Sequence, residues 1–353
     1  MSESISPAPS TSLRERFARS FEVGTCVGGT LPASLRADEL ALLERHFAVL
    51  TPENCMKPGP THPERGRFEF AAPDALVGFA EAHRMAVVGH CLCWHQQSPP
   101  WLFASGLGRE AALAQLREHI HGVAGRYRGR LQGWDVVNEA IAEEGEYLRD
   151  TPALRAIGPD FVRQAFELAR EADPGARLYY NDYDIERPAK RQRTLRLLRE
   201  LLASGARVDG VGIQGHWILD QVPFDDIRAA IRDYAALGLT VMITELDIDV
   251  VPRVGGADVG ARPDGPAPDP YREGCPEDVL ARQAEQYARL FEIFCEPSSR
   301  VSRVSLWGLH DGASWLNYWP SKRTNHPLLF DRNCRPKPAF RALVAGAHRG
   351  EKS

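Results

Sequence analysis

The chain has 353 residues, of which 43 % are hydrophobic and 25 % charged. That is the balance of a soluble globular protein long enough to bury a large core. A formal net charge of -4 removes the electrostatic case for nucleic acid or an anionic membrane surface as partner, and no uninterrupted apolar run is long enough to span a bilayer, so any polymer it meets is expected to be neutral or nearly so.

Residues 1–20, MSESISPAPSTSLRERFARS, are polar and rich in Ser and Pro, and read as a flexible arm. They lack the apolar stretch of a signal peptide. As written, the sequence reads as cytoplasmic; a leader already removed would leave the same start on a secreted or periplasmic protein. The cysteines are Cys26, Cys55, Cys91, Cys93, Cys275, Cys295 and Cys334. An odd number without an export signal points to free thiols, with one bridge, such as Cys275 to Cys295, left open.

From residue 21 one pattern repeats. A short β-rich apolar run is followed by a polar or Gly/Pro turn and then by helical spacing. Eight such runs occur, at 21–27, 49–54, 86–94, 131–139, 177–183, 210–217, 240–247 and 303–311. Between them, 110–127, 160–172 and 189–203 carry apolar residues three and four apart, and helix stops stand at Pro174-Gly175, Gly205 and Gly238. Strands alternating with helices predict a parallel sheet, and eight repeats predict closure into a single-domain α/β (β/α)8 TIM barrel over residues 21–348. The stretch 252–276 breaks the rhythm with Pro, Gly and Asp. It follows the seventh strand and is expected on the C-terminal face, as a surface insertion or as a rim of the cleft.

Catalytic residues of such barrels sit at the C-terminal ends of the strands. Here strand two ends in Glu53-Asn54, with Lys57 just beyond. Strand three ends in His90 and runs to Trp94-His95. Strand four ends in Asn138-Glu139, five in Asn181-Asp182-Tyr183, six in Gln214 and His216-Trp217, and seven in Glu245 and Asp247. Strand eight carries Trp307, His310 and Asp311, with Trp315 following. Packing does not ask for amides, His and Trp at so many strand tips.

WDVVNEA sets Glu139 at the end of strand four and VMITELD sets Glu245 at the end of strand seven, across the barrel mouth. Two opposed carboxylates suit glycosidic cleavage: one protonates the leaving oxygen, the other attacks the anomeric carbon or activates a water. Asn138 can donate to a sugar 2-hydroxyl. His216 and Asp247 can form a relay that keeps Glu245 ionised and oriented. Glu139 needs burial that raises its pKa, for which Trp134, Trp217, Trp307 and Trp315 are candidates. Trp134, inside a strand, reads as core; Trp94, Trp307 and Trp315 read as platforms for sugar rings.

Other chemistries lack support. His90, Cys91, Cys93 and His95 are close in sequence, but strand alternation splits them and the spacing is not that of a zinc site. There is no GxSxG elbow and no GxGxxG after the first strand. A non-catalytic carbohydrate-binding barrel would have no use for both glutamates with their supporting residues.

The runs TPENCMKP, VVGHCLCWHQQSPPWL, WDVVNEAI, LYYNDYDIE, GIQGHW, ITELDI and WGLHDGASWL occur in one order from Thr51 to Trp315. In this the chain resembles glycoside hydrolase family 10, the endo-1,4-β-xylanases. PLLFDRNCRPKPAF is similar to that family's C-terminal end. The resemblance implies a retaining double displacement, where spacing alone leaves retention and inversion open. It implies Glu139 as acid/base and Glu245 as nucleophile. It further implies that Asn138, Gln214, His216, His90 and Trp94 contact the sugar being cleaved, and that Glu53, Asn54 and Lys57 contact the next sugar on the non-reducing side. Trp307 and Trp315 would close over these sites, and Tyr183 would line the leaving-group side. The implied partner is xylan or a xylo-oligosaccharide, the implied state a monomer, with no metal or organic cofactor. An enzyme acting mainly on short xylo-oligosaccharides is the close alternative.

The chain also departs from that family. Cys55 and Pro58 stand in ENCMKP, where the family's run usually reads ENxMKW, so the tryptophan's packing is lost. The insertion 252–276 and the stretch 317–325 look longer than in compact members, and both bear on which decorated xylans fit.

Overall fold

The computed structural model describes residues 11–145, 147–251 and 268–345. Most of the insertion, 252–267, lies outside the described residues. Eight parallel strands form the frame: β1 (Glu22–Val27), β2 (Val49–Pro52), β3 (Ala86–Trp94), β4 (Gly133–Asn138), β5 (Arg177–Asp182), β6 in two segments (Gly210–Ile213 and His216–Ile218), β7 (Thr240–Asp249) and β8 (Val301–Leu306). Each pairs with its sequence neighbours, and β1 pairs with both β2 and β8, which closes the sheet into a (β/α)8 barrel. β6 breaks at Gln214-Gly215 and resumes, so that it meets β7 first through Gly210 opposite Thr240 and again through His216 opposite Asp247.

Helices follow the apolar spacing. Arg109–Arg126, Phe161–Ala172 and Pro188–Ala203 lie within a residue or two of the expected segments. The helix Phe161–Ala172 shows why: Phe161, Val162, Ala165, Phe166, Leu168, Ala169 and Ala172 fall on one stripe and are all buried. Pro188 begins the next long helix, where its missing N–H costs no hydrogen bond.

Polar strand tips run past the regular strand. The expected run 303–311 is strand only to Leu306, and Trp307 to Asp311 turn away over the barrel mouth. Residues 12–20 of the expected arm are packed on the barrel, and residues 1–10 lie outside the described residues. Ser12 caps the short helix Leu13–Arg16 in a capping box with Glu15. Phe17 then packs on Phe21 and Phe291, with ring centroids 5.1 and 4.9 Å away. Burying Leu13 and Phe17 holds residues 12–20 on the barrel.

The inside of the barrel is layered. Val49, Val88, Tyr179 and Met242 form a small cluster separate from the large one shared by strands and helices. Two residues further along the same strands, on the same face, stand Thr51, His90, Asn181 and Thr244. An apolar floor thus gives way to a polar layer, and the site is built on that layer. The segment after β8 is tied down as well. Arg323 forms a buried ion pair with Asp249 at 2.6 Å, Asn325 donates to the same carboxylate at 2.6 Å, and Lys337 reaches Asp311 at 3.1 Å. These contacts fix the stretch 317–325, which the sequence alone marks only as long.

Candidate active site

Glu139 leaves β4 with a φ of 58°, in the left-handed region that costs a non-glycine residue about 1–2 kcal/mol. Its surroundings hold it there. Its N–H donates to the Asn181 carbonyl at 2.9 Å, and Arg149 donates to its carbonyl at 3.2 Å. The next two N–H groups, of Ala140 and Ile141, both donate to the Tyr180 hydroxyl, at 3.0 and 3.2 Å. The side chain accepts hydrogen bonds from Trp94 Nε1 at 2.8 Å, Gln214 Nε2 at 2.9 Å and Asn138 Nδ2 at 3.1 Å. All of these donors are neutral. Burial, with the negative charge of Asp182 behind it, raises Glu139 to about 7.

Asp182 is itself buried and belongs to a network. It accepts from the Tyr180 hydroxyl at 2.6 Å and pairs with Lys190 at 2.9 Å, while Lys190 also reaches Glu143 at 2.7 Å. The hydroxyl that holds the turn after Glu139 is therefore oriented by the carboxylate that opposes its ionisation.

Glu245 is treated differently. His216 Nε2 lies 3.1 Å from Glu245 Oε2, and His216 Nδ1 lies 3.0 Å from Asp247. Burial alone would lower the imidazole's pKa, but Asp247 and Glu245 outweigh it and raise it to about 9. Trp315 Nε1 donates to Asp247 at 2.8 Å and fixes that carboxylate. Burial pushes Glu245 up; hydrogen bonding to His216 and the nearby positive charge push it further down, and the net direction is below its ordinary value.

The two halves meet through amides. Asn181 Nδ2 donates to Glu245 Oε1 at 2.7 Å and to Asn138 Oδ1 at 2.9 Å, and Thr244 donates to Asn181 Oδ1 at 2.6 Å. A Cβ on Gly212 would collide with that Asn181 oxygen, so glycine is required beside it. This chain of bonds leaves Asn138 in one orientation, with an amide hydrogen free for a ligand.

A cleft over the polar layer is lined by Glu53, Asn54, Lys57, His90, Trp94, Gln97, Asn138, Glu139, Gln214, His216, Glu245, Trp307 and Trp315. Lys57 donates to Asn54 at 2.9 Å and sits 4.9 Å from the Trp94 ring centre; His90 is fixed by Asp135 at 3.0 Å. Of the residues expected to act on the glutamates' chemistry or to contact the sugars, Asp247 and Tyr183 are not on the cleft wall. Asp247 lies behind His216. Tyr183 is buried, bonded by Arg149 at 2.7 Å and covered by Lys190 at 3.7 Å.

The tryptophan expectations divide. The indole that bonds Glu139 is Trp94. Trp217 instead donates to Glu186 at 2.8 Å, Trp134 is fully buried in the core, and Trp307 sits edge-on to His90 at 5.4 Å. Cys275 and Cys295 are not bridged; all seven cysteines are free. Among the described residues no group of three or more His, Cys, Asp or Glu side chains could hold a metal ion, and no helix is long and apolar enough to cross a membrane. Asn181, Thr244, Asp135 and Gln97 were not among the residues assigned a role from sequence. Asn181 is marked there only as a strand tip, and Asp135 as a charge inside the apolar run WDVVN.

A (β/α)8 barrel with two buried, oppositely tuned glutamates in a cleft of amides, His and Trp defines a glycoside hydrolase. The family model of Glycosyl hydrolase family 10 matches residues 12–346, and the chain belongs to that family. It is 41 % identical over 341 residues to an endo-1,4-β-xylanase of Geobacillus stearothermophilus, across 94 % of this chain and 98 % of that one. Among solved structures, a GH10 endoxylanase retrieved from sugarcane soil metagenome is 40 % identical with a TM-score of 0.89, covering 95 % of this chain and 99 % of that one. A mutant solved in complex with xylotriose is 36 % identical with a TM-score of 0.86, covering 96 % and 100 %.

Proposed function

We propose that the protein cleaves internal β-1,4-xylosidic linkages of xylan with retention at the anomeric carbon, through a covalent glycosyl-enzyme on Glu245. The observation that carries this reading is the opposite tuning of two buried glutamates at one cleft. Between the two pKa values Glu139 holds a proton and Glu245 does not. The names of the similar proteins supply the substrate class.

In the first step a Glu245 oxygen attacks the anomeric carbon as Glu139 gives its proton to the glycosidic oxygen, and the shortened chain leaves as an alcohol. In the second, the Glu139 carboxylate takes a proton from water, whose oxygen displaces Glu245 from the same carbon. Positive charge on the sugar in each transition state is opposed by the Glu245 carboxylate. The free Asn138 hydrogen points to a role at the sugar 2-hydroxyl. Glu53, Asn54, Lys57 and His90 offer charged and amide groups for the remaining hydroxyls. Trp307 and Trp315 offer apolar faces to the rings.

Proton NMR of the first product anomer tests the mechanism. Early β-anomer supports retention; early α-anomer rules it out. Rates on polymeric xylan and on xylohexaose separate an enzyme of the polymer from one acting mainly on short oligosaccharides.

A further inference from the structure

The chain that leaves β4 at Glu139 comes back beside it at Arg149. Ile141 bridges Leu148 antiparallel, the Ala142 N–H donates to the Tyr147 carbonyl at 3.0 Å, and the Arg149 N–H donates to the Ala140 carbonyl at 2.8 Å. The helix Pro188–Ala203 holds this turn from outside. Arg193 donates to the Ala142 and Glu143 carbonyls at 3.0 Å each, and the Tyr147 hydroxyl donates to Glu200 at 2.6 Å. The Arg149 side chain, 14 % exposed, is thereby delivered to the backbone of Glu139.

The Glu139 carbonyl needs a donor there. In a regular parallel ladder the Tyr183 N–H, two residues past Asn181, would close on it. That N–H is taken instead by the Asp182 carboxylate at 2.9 Å. Arg149 Nε supplies the bond at 3.2 Å, while Nη2 of the same planar group reaches the Tyr183 hydroxyl at 2.7 Å and Glu143 at 3.0 Å. Glu143 already has Lys190 at 2.7 Å, so its charge does not require Arg149. One rigid fork thus joins the backbone at the end of β4 to a side chain at the end of β5. None of these bonds ends on the Glu139 carboxyl. What they fix is the peptide from which that carboxyl projects.

We propose that Arg149 is a positioning residue for proton transfer: it holds the Glu139 peptide so that the carboxyl meets the glycosidic oxygen. The proposal rests on Glu139 being the general acid. A misplaced acid costs most where the leaving oxygen most needs its proton, and little where the leaving group departs unaided. A residue that only supports the fold has no such preference.

The test is kcat/KM, which reports the first step alone, on aryl β-xylobiosides with phenyl, nitrophenyl and dinitrophenyl leaving groups. All three place the same sugars in the cleft. Arg149→Met is expected to lose about 30-fold on the phenyl glycoside and less than about 2-fold on the dinitrophenyl one. Arg149→Lys keeps the charge but cannot make both bonds of the fork. It is expected to lose about 5-fold on the phenyl glycoside in the same order of substrates, and it carries the test if the methionine variant fails to fold. A parallel loss on all three substrates in either variant, or no loss on any, overturns the proposal. Glu139→Ala should show the steepest dependence on the leaving group. If it shows none, Glu139 is not the acid, and the reading beneath the proposal falls instead.

Discussion

Glu139 and Glu245 are the same residue, at the ends of strands on opposite sides of one barrel, and are 5 % and 4 % exposed. Burial raises both. What separates them is the sign of the next charge. Behind Glu139 stands the carboxylate of Asp182, and its hydrogen-bond donors are neutral. Against Glu245 stands His216, kept cationic by Asp247. Desolvation therefore sets the scale of the two shifts, and neighbouring charge decides which glutamate keeps its proton.

The largest test of this asymmetry removes each carboxylate. Glu245→Ala is expected to lose on the order of 10⁵-fold in kcat on every substrate, because no other group can attack the anomeric carbon. Glu139→Ala is expected to lose about 10²–10⁴-fold on xylan, the usual worth of a general acid. It should lose far less on an aryl glycoside whose leaving group needs no proton, and added azide should restore part of that rate. Steady-state rates on the two substrate types check this. Equal losses on both would mean that Glu139 is not the acid.

The next tests move the charges. Glu139, at about 7, sets the alkaline limb of the kcat/KM profile, and Glu245, lowered, sets the acidic limb. His216→Asn removes the cation beside Glu245 and is expected to raise the acidic limb by about 1–2 pH units. Asp182→Asn removes the anion behind Glu139 and leaves Lys190 paired to Glu143. The alkaline limb should then fall by about one pH unit, with the acidic limb unmoved. Movement of both limbs in either variant would break the separation into two local environments.

Much of this was legible in sequence because barrel geometry brings strand tips together. Once Glu139 and Glu245 were placed at strand ends, their opposition across the mouth followed, as did His216 beside Asp247. Which indole meets Glu139 was not legible. It depends on the register between β3 and β4, which slips between His90 and Cys93 and sets Trp94 opposite Asn138. Tyr183 occupies a strand tip but turns under Lys190, a residue in an ordinary charged helix start whose pairing with Asp182 spans the fold. The reading of residues 1–20 as a flexible arm takes no account of the capping box of Ser12 and Glu15. What fixes the arm is Phe17 against Phe291, a contact that no local pattern announces.

The smallest effect expected lies in stability. Glu139 has a folded pKa of about 7 against 4.5 for the free side chain. Its contribution is therefore full below about 4.5 and is lost as pH rises through about 7. A glutamine there carries no charge at any pH. Relative to wild type, Glu139→Gln should thus gain stability between pH 5 and pH 8, by at most about 3 kcal/mol and a few degrees in Tm. Glu245 has the opposite sign. Its lowered pKa makes its contribution present above the unfolded value and lost as pH falls through the folded one. Glu245→Gln should accordingly be less stable than wild type at neutral pH, and the deficit should close on acidification. Differences from wild type cancel the other titrating groups, so thermal melts of the three proteins from pH 3 to 8 read the two environments separately. If the two variants ran parallel to each other across that range, burial alone would govern both glutamates, and the role given to Asp182 and His216 would be wrong.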